Sequence, residues 1–213
     1  MVALVPQPRQ MPLPPFDKDA LQGIFSAVIR DYPYQSFEFI FDGRGALLHN
    51  GEDDTVELRP ALFRILAKMD GPDLLTGPMA AEKATRIMGT AAEQLGIEAF
   101  IQCAVQIIGA VSAPHGDAQA FVAEKLLRDP TQASGLGEGY FGGGVRFRAI
   151  RDEEGGEDSL SIEPNVNDNS LVHLDHQVTR TAITAPISLD QASTWTNDAF
   201  DFLAGPTTEL LSS

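Results

Sequence analysis

The sequence predicts an α+β protein in which a mostly antiparallel sheet of about six or seven strands packs against about four or five helices. Three observations predict this class. Several stretches are hydrophobic at every second position and are joined by loops too short for the crossover that parallel strands require. Other stretches carry apolar residues at helical spacing between capping signals. The chain has 213 residues, 43% of them hydrophobic, which is enough to bury a sizeable core.

The beginning of the chain is rich in proline, with Pro6, Pro8, Pro12, Pro14 and Pro15. Proline lacks the N–H that a helix interior or a central strand needs, so residues 1–16 are predicted to form an extended arm. This arm either hangs in solvent or lies across a partner or a second subunit. Residues 17–213 are predicted to form a single α+β domain, and a division into two lobes, 17–96 and 97–213, is the alternative.

The first predicted helix begins near Asp17, a good N-cap residue, and ends before Pro33. Its apolar residues share one face, which predicts that the helix packs on the core: Leu21, Ile24, Phe25 and Val28. Alternating phenylalanines predict a strand over 37–41, and the turn sequence DGRG predicts a hairpin into a strand over 46–49. A third strand is predicted over 55–58.

Two further helices are predicted before the middle of the chain. Pro60 suits the first turn of a helix, and the residues between it and Gly71 are apolar at near-helical spacing: Leu62, Phe63, Ile65, Leu66 and Met69. A longer helix is predicted over 79–95, and Gly96 is its expected C-terminal glycine.

The second half of the chain repeats this plan in outline. Strands are predicted over 98–111, 140–151, 159–163 and 171–182, and a helix over 117–127. A final helix begins at the capping box of Ser188 and Gln191 and is predicted to end at Gly205 and Pro206. We therefore hypothesise a pseudo-duplicated plan of helix, three strands and helix, once on each side of the strand 98–111.

Composition narrows the classes of partner. A formal net charge of −15 disfavours direct binding to nucleic acid and docking on an anionic membrane. The single cysteine, Cys103, excludes an intramolecular disulfide and fits a reducing compartment. Neither a signal peptide nor a run of ~18 apolar residues is recognised, so the expected location is cytoplasmic and no membrane contact is predicted.

Two candidate sites fail a geometric test. The glycine-rich segment 135–147 leads into a predicted strand rather than a helix, so no nucleotide cofactor is predicted. His173 and His176 would point to opposite faces of a strand, so they cannot share a metal ion, and no metal ligand is predicted. His176 is expected to be a hydrogen-bonded core histidine.

Polar residues of four predicted strands are expected to share one surface of the sheet: Gln102, Gln106, Arg146, Arg148, Ser161, Glu163, His173 and Asp175. This surface is either simply solvated or selects a partner by hydrogen bonds and charge. Its two arginines suit a small anionic ligand that carries a carboxylate or phosphate. His173 with Asp175 would suit a general base, but no nucleophile can be assigned beside them because Cys103 falls on the apolar side.

The leading functional interpretation is a non-catalytic protein that binds a partner protein or assembles with copies of itself. Contact would be made through the polar surface, an exposed edge strand or the proline-rich arm. The alternative is a small-molecule enzyme or ligand-binding protein with a pocket between sheet and helices, lined by His173, Asp175, Arg146 and Arg148. No catalytic residue is assigned. The identity of the partner, the oligomeric state and any catalysis are left open by the sequence.

Overall fold

The structure, a computed structural model, describes residues 1–7, 16–51, 54–67, 75–126 and 143–212. Its strands are β1 (Val2–Pro6), β2 (Ser36–Ile40), β3 (Gly45–His49), β4 (Thr55–Arg59), β5 (Leu62–Leu66), β6 (Phe100–Ser112), β7 (Val145–Arg151), β8 (Gly156–Pro164) and β9 (Leu171–Thr181). Its helices are α1 (Lys18–Val28), α2 (Gly77–Leu95), α3 (Ala118–Leu126), α4 (Leu189–Phe202) and the short α5 (Thr208–Ser212).

Within these described ranges the nine strands form one sheet in the order β2-β3-β4-β5-β1-β6-β9-β8-β7. Every pairing between neighbours is antiparallel. The predicted α+β class and the antiparallel sheet are therefore confirmed. The sheet is larger than the six or seven strands predicted. Counted without the five-residue α5, the described helices number four, at the low end of the prediction.

The helix predicted after Pro60 is wrong, because Leu62–Leu66 forms strand β5. Arg59 and Leu62 face each other across a two-residue turn, so β4 and β5 pair as a tight hairpin. Phe63 and Ile65 are buried whereas Arg64 is exposed, which is the period of two expected for a strand. A short apolar run fits either periodicity, and pairing with β4 decides between them.

The extended arm predicted over 1–16 is also wrong for its first residues, because β1 occupies the middle of the sheet between β5 and β6. The rule that proline avoids central strands is nevertheless obeyed. Pro6 stands at the last position of β1, next to a shift in the pairing with β6. The other prolines of the predicted arm, in 8–15, lie outside the described residues.

Local signals set most helix ends as predicted. Asp17 caps α1, Gly96 follows α2 with φ of 65°, and Ser188 forms a complete capping box with Gln191 at α4. The predicted stop at Gly205 and Pro206 is wrong. The backbone instead passes through one wide helical turn over Leu203–Thr207 and continues as α5. A wide turn of this kind accommodates a proline without ending the helical path.

Helices α1 to α4 pack on one face of the sheet, which we call the helix side. The larger buried cluster joins α1, α2 and α4 to the central strands, and the smaller one joins α3 to β8 and β9. The opposite face, which we call the open side, carries no helix in the described part of the chain. None of the described helices is long and apolar enough to cross a membrane.

The pseudo-duplicated plan stays a prediction, and the order of the described elements differs from the hypothesised one. Each half starts with a strand of the sheet centre, β1 or β6, followed by a helix, α1 or α3. A meander then returns to pair its last strand, β5 or β9, with that first strand. The first meander has four strands rather than three, because β5 replaces the predicted helix. The division into lobes 17–96 and 97–213 stays a prediction.

Candidate functional site

The polar surface predicted from the sequence lies on the open side. Residues that face each other across a sheet share a side, and the pairing of β6 to β9 links them in rows. Asp175 lies opposite Ser161, which lies opposite Arg146. Gln106 and Gln177 are also opposite each other. The structure thus brings all six predicted site residues to one surface: Gln102, Gln106, Arg146, Arg148, His173 and Asp175.

Hydrogen bonds on this surface tie the strands to each other. The Gln106 Nε2 donates to Asp175 Oδ1 and Oδ2 at 3.0 and 3.2 Å, and the Gln177 Nε2 donates to Asp175 Oδ2 at 2.9 Å. The Asp175 carboxylate is therefore occupied by two amides. Among the described residues no hydrogen bond joins it to His173, so the acid–base pair suggested by the sequence is not assembled.

The two arginines of the open side differ in their surroundings. Arg148 Nε donates to Glu157 Oε1 at 2.7 Å, and this hydrogen bond lowers the pKa of Glu157. An anionic ligand at Arg148 would have to displace that carboxylate. Arg146 Nη2 contacts Ser159 Oγ at 3.3 Å, a weaker and uncharged partner. Arg146 is thus the more available of the two cations.

A cleft of about 410 Å³ opens on the helix side, between α4 and the strands β7, β8 and β9. Its wall is largely apolar and aromatic, from Phe147, Leu160, Val178, Trp195 and Phe202. The sequence pointed to the opposite side of these strands and did not predict this cleft, although Arg148 of the predicted site residues also lines it. The signal available was the second set of alternating positions on β7, which carries Phe147, Ala149 and Arg151.

A shared carboxylate lies at the wall of the cleft. Asp158 accepts hydrogen bonds from Arg180 Nη1 at 2.6 Å and from Arg151 Nε at 2.8 Å. Burial would raise the pKa of Asp158, but the two guanidinium hydrogen bonds outweigh burial and lower it. The Arg180 guanidinium also lies 5.8 Å from the centre of the Trp195 ring. These contacts hold β8, β9 and α4 together beside the cleft.

His176 is the core histidine that the sequence predicted. It is 4% exposed, and its Nδ1 lies 3.2 Å from the Ala199 carbonyl, which makes that nitrogen the donor. Its ring stacks on Phe202 with 4.7 Å between centroids. Burial lowers the pKa of His176 against the opposing effect of the Ala199 carbonyl, so the neutral ring is favoured.

Strand β7 is the outermost strand on this end of the sheet. It pairs with β8 over seven consecutive residues without a shift in register, and six of its seven residues are exposed. Phe147 is 43% exposed on the helix side and Ile150 is 72% exposed on the open side. In the described ranges no strand lies along the outer edge of β7.

The remaining candidates offer little chemistry. Cys103 is 1% exposed on the helix side, and burial raises its pKa to about 12, so the thiol is inert as predicted. In the parts of the chain that the structure describes, no group of three or more histidine, cysteine, aspartate or glutamate side chains is arranged to hold a metal ion. Most of the glycine-rich segment, 135–142, lies outside the described residues.

No protein-family model, no curated protein and no solved structure matches this chain.

Proposed function

We propose that the protein is a non-catalytic association module that binds another polypeptide along the outer edge of β7. The observation that carries this proposal is a run of seven regularly paired residues, six of them exposed, at the edge of a large sheet. Such an edge presents a row of backbone N–H and C=O groups that an added strand satisfies.

Side chains on both sides of β7 favour this role. Phe147 and Ile150 are large apolar residues that stay exposed on opposite sides of the strand. Solvated edge strands usually avoid such residues, because they invite another chain to pair. A strand added along β7 would cover Phe147 on the helix side and Ile150 on the open side. The apolar area that becomes buried would favour association.

The cleft supplies side-chain selectivity for the same partner. It is lined by Phe147 and Ala149 of β7 and by Trp195 and Phe202 of α4. Every second side chain of an added strand points toward this side of the sheet. An apolar side chain of the partner would therefore enter the cleft while the backbone pairs with β7.

The test is a comparison of affinity captures from native lysate. The baits are the wild-type chain, a variant with Phe147→Glu and Ile150→Glu, and the control Val166→Glu. Val166 is 97% exposed in the loop between β8 and β9, so its substitution adds the same kind of charge away from the edge. We expect the control to retain a recovered protein and the β7 variant to lose it by about tenfold, since charge in an apolar contact is costly.

Any protein recovered in this way is then purified and titrated against the three baits by calorimetry. Binding by the wild type and the control, with loss for the β7 variant, supports the proposal. Equal affinity of all three baits would contradict it. Circular dichroism of the variants checks that the sheet is retained.

A second candidate function is binding of a small apolar ligand in the cleft, whose volume falls in the range of known ligand sites. His173 and Asp175, named for this role from the sequence, lie on the open side, away from the cleft. Trp195 is the single tryptophan of the chain and lines the cleft, so it reports on occupancy. An anilinonaphthalene sulfonate probe bound in the cleft should accept fluorescence energy from Trp195. This energy transfer should be lost in Ala149→Phe, which fills the cleft, and kept in the control Val166→Phe. No transfer in the wild type would count against this function.

A further inference from the structure

We infer that the polypeptide that pairs with β7 is the β7 strand of a second copy of this chain, in an antiparallel two-fold dimer. This inference rests on the proposed function and deepens it by naming the partner. It follows from the order of charges along β7 and from the register that this order allows.

The charges along this edge are asymmetric. Three arginines lie within β7 at Arg146, Arg148 and Arg151, and they are followed at once by the exposed acids Asp152 and Glu153. An antiparallel copy reverses this order, so the basic start of one strand meets the acidic end of the other. The edge is therefore complementary to itself, as a two-fold interface requires.

A foreign acidic peptide fits this edge less well. Arg148 and Arg151 already pair with Glu157 and Asp158 within the chain, and the acids after Arg151 would repel such a peptide. The net charge of −15 opposes association of two copies at long range. At physiological ionic strength this repulsion is screened beyond about 8 Å, so the contacts along the edge decide.

The two-fold axis could pass through Phe147, Arg148 or Ala149 at the centre of β7. Repulsion between like charges excludes the first two of these registers. A two-fold axis through Phe147 would set Arg146 opposite the partner's Arg148. An axis through Arg148 would set that arginine opposite its own copy. Both arrangements place guanidinium groups side by side on the open side, which is destabilising.

An axis through Ala149 avoids these clashes. It sets Phe147 opposite the partner's Arg151, where a half-exposed guanidinium can lie over the aromatic ring. It also brings Arg146 opposite the partner's Asp152, the first residue of the short 3-10 turn Asp152–Glu154 that follows β7. Arg146 is the arginine of β7 whose described hydrogen bond goes to an uncharged hydroxyl, so the new ion pair displaces no carboxylate. The small Ala149 side chain lets the two strands approach at the axis.

Disulfide trapping tests the register. In a Cys103→Ala background, Ala149→Cys would face its own copy, with Cα atoms about 4.5–5.5 Å apart in an antiparallel pair. This spacing lies inside the range of about 4.4–6.8 Å that a disulfide spans. We expect most of the chain to run as a covalent dimer on a non-reducing gel after mild oxidation. The control Glu38→Cys, at the centre of β2, should remain monomeric.

A charge swap tests the ion pair without new cysteines. Arg146→Asp and Asp152→Arg should each weaken the dimer about tenfold in sedimentation equilibrium, because each creates two like-charge contacts across the axis. The double variant should return to within about threefold of the wild type, since the pair is restored in reverse. Efficient trapping at Phe147→Cys or Arg148→Cys in place of Ala149→Cys would overturn the Ala149 register.

The outcomes separate this inference from the proposed function. A wild-type chain that sediments as a monomer at all concentrations, with no trapped Ala149→Cys dimer, overturns the inference. If capture of another protein still depends on Phe147 and Ile150, the proposed function stands with a different partner. If neither association nor capture depends on those two residues, both proposals fail together.

Discussion

The two edges of the sheet are built differently. At one end, β2 is five residues long and two aromatic rings each have a cation beside them: Lys18 lies over Phe39 at 5.3 Å, and Arg59 lies at 4.9 Å over Phe41, which directly follows β2. At the other end, β7 is seven residues long, and its Phe147 is exposed beside an apolar cleft. Cations over aromatic rings are a feature of the first edge, where Phe41 nevertheless stays 56% exposed, whereas the second edge is longer and places Phe147 beside the cleft.

The chain turns sharply after both edge strands. Phe41 and Asp42, directly after β2, have φ values of 52° and 56°, a left-handed conformation. After β7 the chain makes the short 3-10 turn Asp152–Glu154, and Gly155 follows with φ of 65°. The two edges therefore differ in their length and in the cations over their rings, and not in how they end. A short edge strand with cations beside it resists strand addition better than a long one does.

The largest expected effect is on the free energy of unfolding, when a buried apolar residue is compared with an exposed one on the β7 edge. Phe63 is fully buried in β5, so Phe63→Ala should lower the free energy of unfolding by ~3–5 kcal/mol. Phe147→Ala, on the exposed edge, should lower it by less than ~1 kcal/mol. Urea unfolding of dilute protein measures both. Similar losses would mean that Phe147 is part of the core and would remove the contrast between the edges.

The second-largest effect is expected at a partly buried ion pair between α2 and the residue before β4. Lys83 of α2 donates to both carboxylate oxygens of Asp54 at 2.7 and 2.8 Å, and Tyr34 Oη donates to the same carboxylate at 2.9 Å. Lys83→Met should cost ~2–3 kcal/mol, because it leaves a largely buried carboxylate without its cation. Lys125→Met on exposed α3 is the matched control. Equal stability of the two variants would show that the pair does not anchor this end.

A smaller effect is expected on the pH dependence of stability, from His176 of β9. Because burial lowers the native pKa of His176 below its ordinary 6.5, the unfolded chain takes up the proton first as the pH falls. Stability should therefore decrease from about pH 6.5 down to the depressed native pKa, and be fully present above about pH 6.5. His176→Gln should reduce the loss between about pH 7 and about pH 5 in urea unfolding. His173→Gln, on the opposite side of β9, should keep the full loss of stability. If stability falls equally with pH in both variants, His176 is not the group responsible.

The smallest effect is expected from the cation–π contact at β2. Lys18→Gln removes the cation above Phe39 and should cost ~0.5 kcal/mol or less, as expected for an exposed cation–π contact. Lys125→Gln is again the control for loss of a surface charge. Lys18→Gln is then combined with Phe147→Glu and Ile150→Glu, which block association through β7. Sedimentation of this triple variant measures whether the chain now associates through β2. New association would show that the Lys18 cation acts against strand addition. No association would limit the role of Lys18 to stability.

Sequence periodicity gave the open side correctly because each of its strands alternates strongly. Asp175, Ser161 and Arg146 fall on one row once β7, β8 and β9 pair, and that pairing follows from the short loop between β7 and β8. The strand β5 was missed because five apolar or basic residues after a proline suit a helix as well as a strand. Central β1 was missed because proline content was averaged over residues 1–16, a range that is longer than the strand itself.

Local chemistry in the sequence by itself determined the α+β class, the capped helix ends and which side chains alternate, since caps and periodicity depend on residues a few positions apart. The tertiary structure alone decided that β1 enters between β5 and β6, that β7 ends the sheet, and that a cleft forms under α4. These features depend on contacts between residues far apart in the chain. Burial and backbone pairing choose among partners that are locally equivalent, and no short window of sequence records that choice.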